Sequence, residues 1–472
     1  MGEVFLSHVG ITDAVSYATK AGKLRKLGPR LYTTNMNTEL SEVVSRNIWS
    51  IVKLYFPGAT LADRTALDKT SSQNGNVWVI SDTNKVVTLP GHVITSRKAE
   101  PDGELTSFMD GLNVPDITTA LISNLRKTRS GSKTGEPATF TRGELEQYMA
   151  RLLDYSNGRS ELEKIETEAA ARPGGPPIAA IAKALLGGDE SELTASLAKA
   201  RARNHSYDET RVEMFEQMTR HLVSKPPPLP IEANVEQDQE LRAFYESYFS
   251  NYIEGTRFDV NEAERLVFSN YNPRTRAADA ECVKATYQLA LDDEGREFRD
   301  FGDFEEFIRT NHATLMASVD YSMPGEFKEI PNYAGTYPFV VPDKVIGTLE
   351  AGFENYKSIP NGLPRAIYAS FLVSEVHPFI DGNGRTSRLV LNTELTKRGL
   401  QRIILPNVNR EDYIQALKDS NRERRFGTIS KVLSKAQEFS STLRLRDRRS
   451  AEQEMDVSNA FEEPSDGRLI FP

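Results

Sequence analysis

Between Ser374 and Arg388 the chain reads SEVHPFIDGNGRTSR, and this stretch interrupts an otherwise helical pattern. Upstream, Arg365 to Val376 holds good helix formers with apolar residues most of the way round, as a helix at the centre of a domain requires. Downstream, TSRLVLNTELTKRGL reads as a second helix with Gly399 as its C-terminal cap. A loop between two buried helices is therefore expected. Gly382 and Gly384 give its backbone freedom, so the N–H groups of residues 382 to 385 can turn inward and the next helix adds its free N-terminal donors. Arg385 and Arg388 are one turn apart on that helix, so both guanidinium groups can reach one multiply charged anion. Such a site suits a polyphosphate.

Asp381 at the lip of an anion site calls for a cation, and magnesium takes one or two carboxylates while completing its shell with phosphate oxygens and water. His377 ends the first helix just before the loop, where a neutral imidazole can take a proton from an incoming hydroxyl. A lone His is usually a helix cap and a lone Gly-Asn-Gly usually a turn. Falling together with an Asp and two arginines, they point to nucleotidyl or phosphoryl transfer.

The 472 residues suggest about three domains at ~150 residues each. No apolar run approaches the ~20 residues that span a bilayer, and the N-terminus lacks a signal-peptide pattern, so a cytoplasmic protein is expected. The single cysteine, Cys282, excludes an internal disulfide framework, and the net charge of −9 argues against general coating of nucleic acid. Residues 1–130 read as an α/β domain, with strand-like runs punctuated at Asp82-Thr83-Asn84 and Pro90-Gly91. Within it, a short helix and a basic hairpin turning at Gly28-Pro29 are compatible with a winged helix. Lys20, Lys23, Arg25, Lys26 and Arg30 would then meet DNA phosphates. Polar, turn-rich sequence over 101–139 reads as a connection, residues 131–224 as a helical region, and the Pro-rich segment 225–231 as a linker. A predominantly helical unit is expected over 232–443, and a poorly ordered polar tail over 444–472.

His377-Pro378-Phe379-Ile380-Asp381-Gly382-Asn383-Gly384-Arg385-Thr386-Ser387-Arg388 resembles, position by position, the signature of the Fic-domain protein adenylyltransferases. The resemblance implies a predominantly α fold, an all-helical domain with a β-hairpin flap, and transfer of AMP from ATP to a Ser, Thr or Tyr hydroxyl of a target protein. It implies His377 as general base and Asp381 as the Mg2+ ligand. Gly382, Asn383, Gly384, Arg385, Thr386 and Ser387 would line the phosphate site, with Arg388 on the γ-phosphate. REDYIQALKDSN is similar to the family's downstream segment, making Tyr413 and Asn421 candidates for nucleoside contacts. The flap would be an exposed hairpin at Tyr337, Pro338, Phe339, Val340 and Val341, docking the target by strand addition. In SNYIEG, Ser250, Glu254 and Gly255 match the family's inhibitory pattern, and Glu254 is expected to form a bidentate pair with Arg388.

The implied partners are ATP, a target protein with an exposed hydroxyl, and a second copy of the chain in a homodimer. Removal of AMP by the same site is the alternative direction. Family members that phosphorylate carry Lys where this chain has Gly384, so a kinase-like reaction is disfavoured. AGKLRKLGPRLYTTN and the segment after it resemble AbiE-type antitoxin regulators, which leaves a DNA-binding regulator with a nucleotide-sensing Fic domain as a second class of function.

Overall fold

The computed structural model describes residues 2–128, 135–228, 230–269, 271–273 and 275–471. It divides into two compact units, Met1–Asn204 and His205–Pro472.

In the first unit, Leu31–Thr33 pairs antiparallel with both Val4–Leu6 and Arg25–Gly28. The helix before this hairpin is Thr12–Lys20. The turn falls one residue later than expected, on Pro29-Arg30, with Arg30 at φ 61°. Two of the five basic side chains are spent on backbone carbonyls: Arg25 donates to Thr38 O at 2.6 Å and Arg30 to Ser7 O at 2.8 Å.

A mixed sheet follows, in the spatial order Lys85–Leu89, His92–Lys98, Asn76–Ser81, Thr60–Leu61, Asn113–Pro115, Leu105–Ser107. Asn76–Ser81 runs parallel to His92–Lys98, with Val77 opposite Ile94 and Val79 opposite Ser96. The expected connection over 101–139 thus contains two sheet strands and the helix Ile117–Asn124; its residues 129–134 lie outside the described residues. The helices Arg142–Leu152, Gly158–Ala171, Pro176–Gly187 and Ser196–Ala202 belong to the same unit as the sheet, so the expected boundary at 130/131 is not a break in packing. Polar side chains tie across it: Arg64 donates to Glu144 at 2.7 Å and Arg172 to Asp116 at 2.6 Å.

In the second unit the helix Leu363–Val376 buries every residue except Ser374, which explains its apolar character all round. Against it pack Glu209–Ser224, Val345–Phe353, Asn383–Lys397 and Phe426–Thr442. Met214, Phe215, Met218 and Leu222 share one core with Ile367, Phe371, Val390 and Ile429. The helix before the Pro-rich segment is therefore part of this unit, and that segment lies inside it rather than dividing domains; Leu229 is outside the described residues.

The tail departs from expectation as well. Arg448–Val457 is a helix capped by Asp447, and Ala451, Met455 and Ala460 are buried in a core with Phe244, Tyr245 and Phe249 of the helix Gln239–Ile253. So few apolar residues in a charged stretch give little periodic signal, yet they join a core rich in aromatic residues. Among the described residues no helix is long and apolar enough to cross a membrane.

Candidate active site

The helix Leu363–Val376 ends on His377, which adopts a left-handed conformation (φ 54°) and turns the chain into the loop. The loop is fixed from beneath by Asn383. Its side chain accepts from Phe379 N at 2.9 Å and donates to Phe379 O at 2.9 Å, and it is buried. This amide therefore braces the turn instead of lining a phosphate site.

Phe379 is fully buried, and His312 of the helix Phe301–Leu315 stacks on it with ring centroids 3.7 Å apart. Gly325 N–H donates to His312 Nδ1 at 2.9 Å, so Nε2 carries the proton and donates to Asp381 O at 3.0 Å. Burial pushes His312 down to about 4, which keeps it neutral in this role. His312 is a supporting residue that the sequence reading missed, because nothing near it in the chain marks it.

Gly382 sits at φ 76°, and a Cβ there would press on Met316 Sδ and His312. The next helix, Asn383–Lys397, follows at once, and its first N–H groups have no acceptor within the helix. Thr386 Oγ1 donates to Gly382 O at 3.0 Å and Ser387 Oγ to Gly384 O at 2.8 Å, so both hydroxyls are turned to the helix backbone and away from a ligand. What remains to meet an anion is backbone N–H, Arg385 and Arg388.

Arg388 is buried and held on three contacts: Nε to Ser250 Oγ (3.0 Å), Nη2 to Ser250 O (2.8 Å) and Nη2 to Glu254 Oε1 (2.8 Å). The expected bidentate pair is thus a single carboxylate contact, the second edge of the fork being taken by Ser250. The same Glu254 oxygen occupies the space where a Cβ on Gly384 would stand. The carboxylate lies over the positive end of the helix as well as on the arginine. Arg385 reaches Asn251 Oδ1 at 3.4 Å and leaves its buried Nε without a hydrogen-bond partner.

Glu254 is placed by the end of the helix Gln239–Ile253. Gly255 N donates to Tyr252 O (3.0 Å) and Thr256 N to Asn251 O (3.0 Å), a Schellman closure with Gly255 at φ 92°. Tyr413 is buried in the core with its hydroxyl toward Arg388 and Ser387, so it backs the arginine rather than offering a ring face. Asn421 keeps a buried Oδ1 without a partner.

His377 is half-buried. Its Nδ1 lies 3.2 Å from Ser374 O, which can only accept, so Nδ1 carries the proton and Nε2 keeps a free lone pair. Burial above all pushes it down to about 4. Phe339 stacks on the imidazole at 3.7 Å and 6°. The hairpin carrying Phe339 is shorter than expected: Tyr333–Ala334 pairs with Tyr337–Pro338 only. Val340 is fully buried and so cannot join an exposed edge, while Val341 is exposed. Tyr337 donates to Glu375 at 2.5 Å, and Arg211 donates to Glu375 (2.9 Å) and to Pro338 O (2.6 Å). Pro338 has no N–H, and its carbonyl is already used.

Asp381 is half-exposed; its carboxylate accepts from Gly382 N at 2.6 Å and Tyr321 OH at 3.1 Å. Among the described residues no group of three or more His, Cys, Asp or Glu converges to hold a metal. A cation here would rely on this one carboxylate and on a ligand's own oxygens, which is the habit of magnesium.

Residues 303–395 match the model of the Fic/DOC family. A protein adenylyltransferase Fic from Drosophila persimilis is 35% identical over 115 residues, 23% of this chain and 22% of that protein. Its counterpart from Drosophila virilis is 33% identical over 115 residues, 23% of this chain and 24% of that protein. Of solved structures, a Fic-domain-containing signaling protein from Bacteroides thetaiotaomicron shares 20% identity at a TM-score of 0.36, covering 52% of this chain and 97% of that one. Fic-1 from C. elegans shares 17% at a TM-score of 0.36, covering 68% of this chain and 90% of that one. The chain spans about a fifth of the length of the curated relatives it matches.

Proposed function

We propose, from the Fic/DOC domain that residues 303–395 carry, that this chain is a protein adenylyltransferase acting on ATP and a Ser, Thr or Tyr hydroxyl of a target protein, and that Glu254 holds it inactive. The observation that supports the reading most is the Glu254 carboxylate itself, which rests on Arg388 and over Gly384. A protein anion in that position marks the place where a ligand anion would be bound.

In the transfer, the target's hydroxyl gives its proton to Nε2 of His377, the lone pair that the Ser374 contact leaves free. The hydroxyl oxygen bonds to the α-phosphorus, the bond from that phosphorus to the bridging oxygen breaks, and diphosphate leaves with the electron pair. The N–H groups that open the helix Asn383–Lys397, with Arg385 and Arg388, bind the phosphate oxygens and orient the α-phosphorus for in-line attack. Asp381 would hold Mg2+, whose chemistry is to neutralise charge on the phosphates. With Glu254 in place, Nε and Nη2 of Arg388 are already engaged and the γ-phosphate must compete for them, so any ATP that binds is misaligned.

The test is incubation with ATP labelled at the α-phosphate. Strong label transfer by Glu254→Gly and little by the unaltered chain is expected, with His377→Ala in the Glu254→Gly background losing roughly 10²- to 10⁴-fold. Equal labelling by the first two proteins would overturn the inhibitory role, and no transfer by either would overturn the activity.

A further inference from the structure

Lys328 lies between the helix Phe301–Leu315 and the hairpin, only 2% exposed. Burying an ammonium is costly unless a carboxylate neutralises it. Here Nζ donates instead to a neutral amide, Asn332 Oδ1, at 2.7 Å. For stability alone an apolar side chain would serve better at this position.

The contacts of Lys328 run toward the catalytic loop on one side and the hairpin on the other. Its own N–H donates to Pro378 O at 2.9 Å, and the amide it holds, Asn332 Nδ2, donates to Phe379 O at 2.9 Å. Asn332 O in turn accepts from Phe339 N at 3.2 Å. The Phe339 ring meets both groups: His377 stacks on it at 3.7 Å, and Lys328 Nζ stands 6.0 Å from its centroid.

We propose that Lys328 is a positioning residue for the transfer step: it pins the hairpin to the catalytic loop so that Phe339 holds the His377 ring, and its ammonium opposes protonation of that ring. This deepens the reading given above and rests on His377 being the base. Five influences on His377 have definite directions. Burial and the Lys328 charge push it down, while Glu254 and Asp381, together with the Ser374 carbonyl, pull it up. Lys328 is itself pushed down to about 7, first by burial and then by Arg211.

The sign of the effect follows. His377 must finish the step as an imidazolium, so a charged Lys328 opposes the step and a neutral one relieves it. Transfer should therefore accelerate as pH rises through about 7.

The deciding measurement follows the His377 imidazole by NMR in the full chain carrying ¹³C-histidine, its resonance identified with His377→Gln. It needs neither nucleotide nor target, so it is informative even if AMP transfer fails. Lys328→Met should raise the His377 titration midpoint by about one pH unit, and Lys328→Arg, which keeps the charge, should leave it in place. An unmoved midpoint in Lys328→Met, with the melting temperature retained, would overturn the proposal. In the Glu254→Gly background, label transfer from α-labelled ATP should rise severalfold between pH 6 and 8 with Lys328 present and be flat in Lys328→Met. Identical pH profiles would equally overturn it.

Discussion

Asn383 stands at the centre of the motif and faces inward, both ends of its amide spent on Phe379. Its sequence position suggested a ligand contact, because a run of polar residues beside glycines looks the same whether the side chains point out or in. Thr386 and Ser387 turn inward for the same reason: a buried hydroxyl on a helix finds its nearest acceptor on the preceding turn. Asn383→Ala should leave Phe379 N–H buried without an acceptor, whereas Phe379 O keeps Asn332. A loss of about 1–3 kcal/mol is expected, read as a lower denaturation midpoint at unchanged slope. A midpoint like that of the unaltered chain would mean that Asn383 is not the brace of this loop.

At the scale of the element, the end of a helix decides where one carboxylate goes. The helix Gln239–Ile253 closes on Gly255 at φ 92°, and the residue just before the glycine is Glu254. A β-branched side chain in that conformation is strained by roughly 1–2 kcal/mol, although nothing stands within 4 Å of a Cβ at Gly255. Gly255→Val should therefore unwind the closure, loosen the Glu254 contact with Arg388 and raise AMP transfer above that of the unaltered chain. The check is labelling from α-labelled ATP beside the Glu254→Gly protein; no gain over the unaltered chain would separate the helix end from the inhibition. The hairpin shows the converse. Its two-residue strands and the fully buried Val340 follow from anchors distant in sequence, Arg211 and Glu375, that a local reading does not connect to it.

Across the second unit, the C-terminal segment holds the helix that carries Glu254. Phe461 packs against Tyr245, Tyr248 and Phe249, with centroids 5.6 to 6.3 Å apart. Glu463 accepts from Tyr252 and, at 2.8 Å, from Arg257, at the end of the same helix that carries Glu254. Truncating Phe461 to Ala should cost about 3 kcal/mol, discounted for its partial exposure, and shift the helix toward release. Greater AMP transfer together with a lower melting temperature is the expected pair of results. A lower melting temperature with unaltered transfer would show that the segment supports the fold and not the inhibition.

The motif from His377 to Arg388, the two helices around it and the glycine cap at Gly399 were legible in the chain itself. Each is a local matter of backbone freedom, helix periodicity and charge spacing, and φ 65° at Gly399 agrees with that reading. The spacing of Ser250 and Glu254 likewise marks one face of one helix. What the chain did not announce depends on residues far apart in sequence meeting in a core: His312 under Phe379, Lys328 behind the hairpin, Phe461 on the helix Gln239–Ile253, and the helix Glu209–Ser224 joined to the second unit. Periodicity tells which face of an element is apolar, but only the packed structure tells which partner covers it.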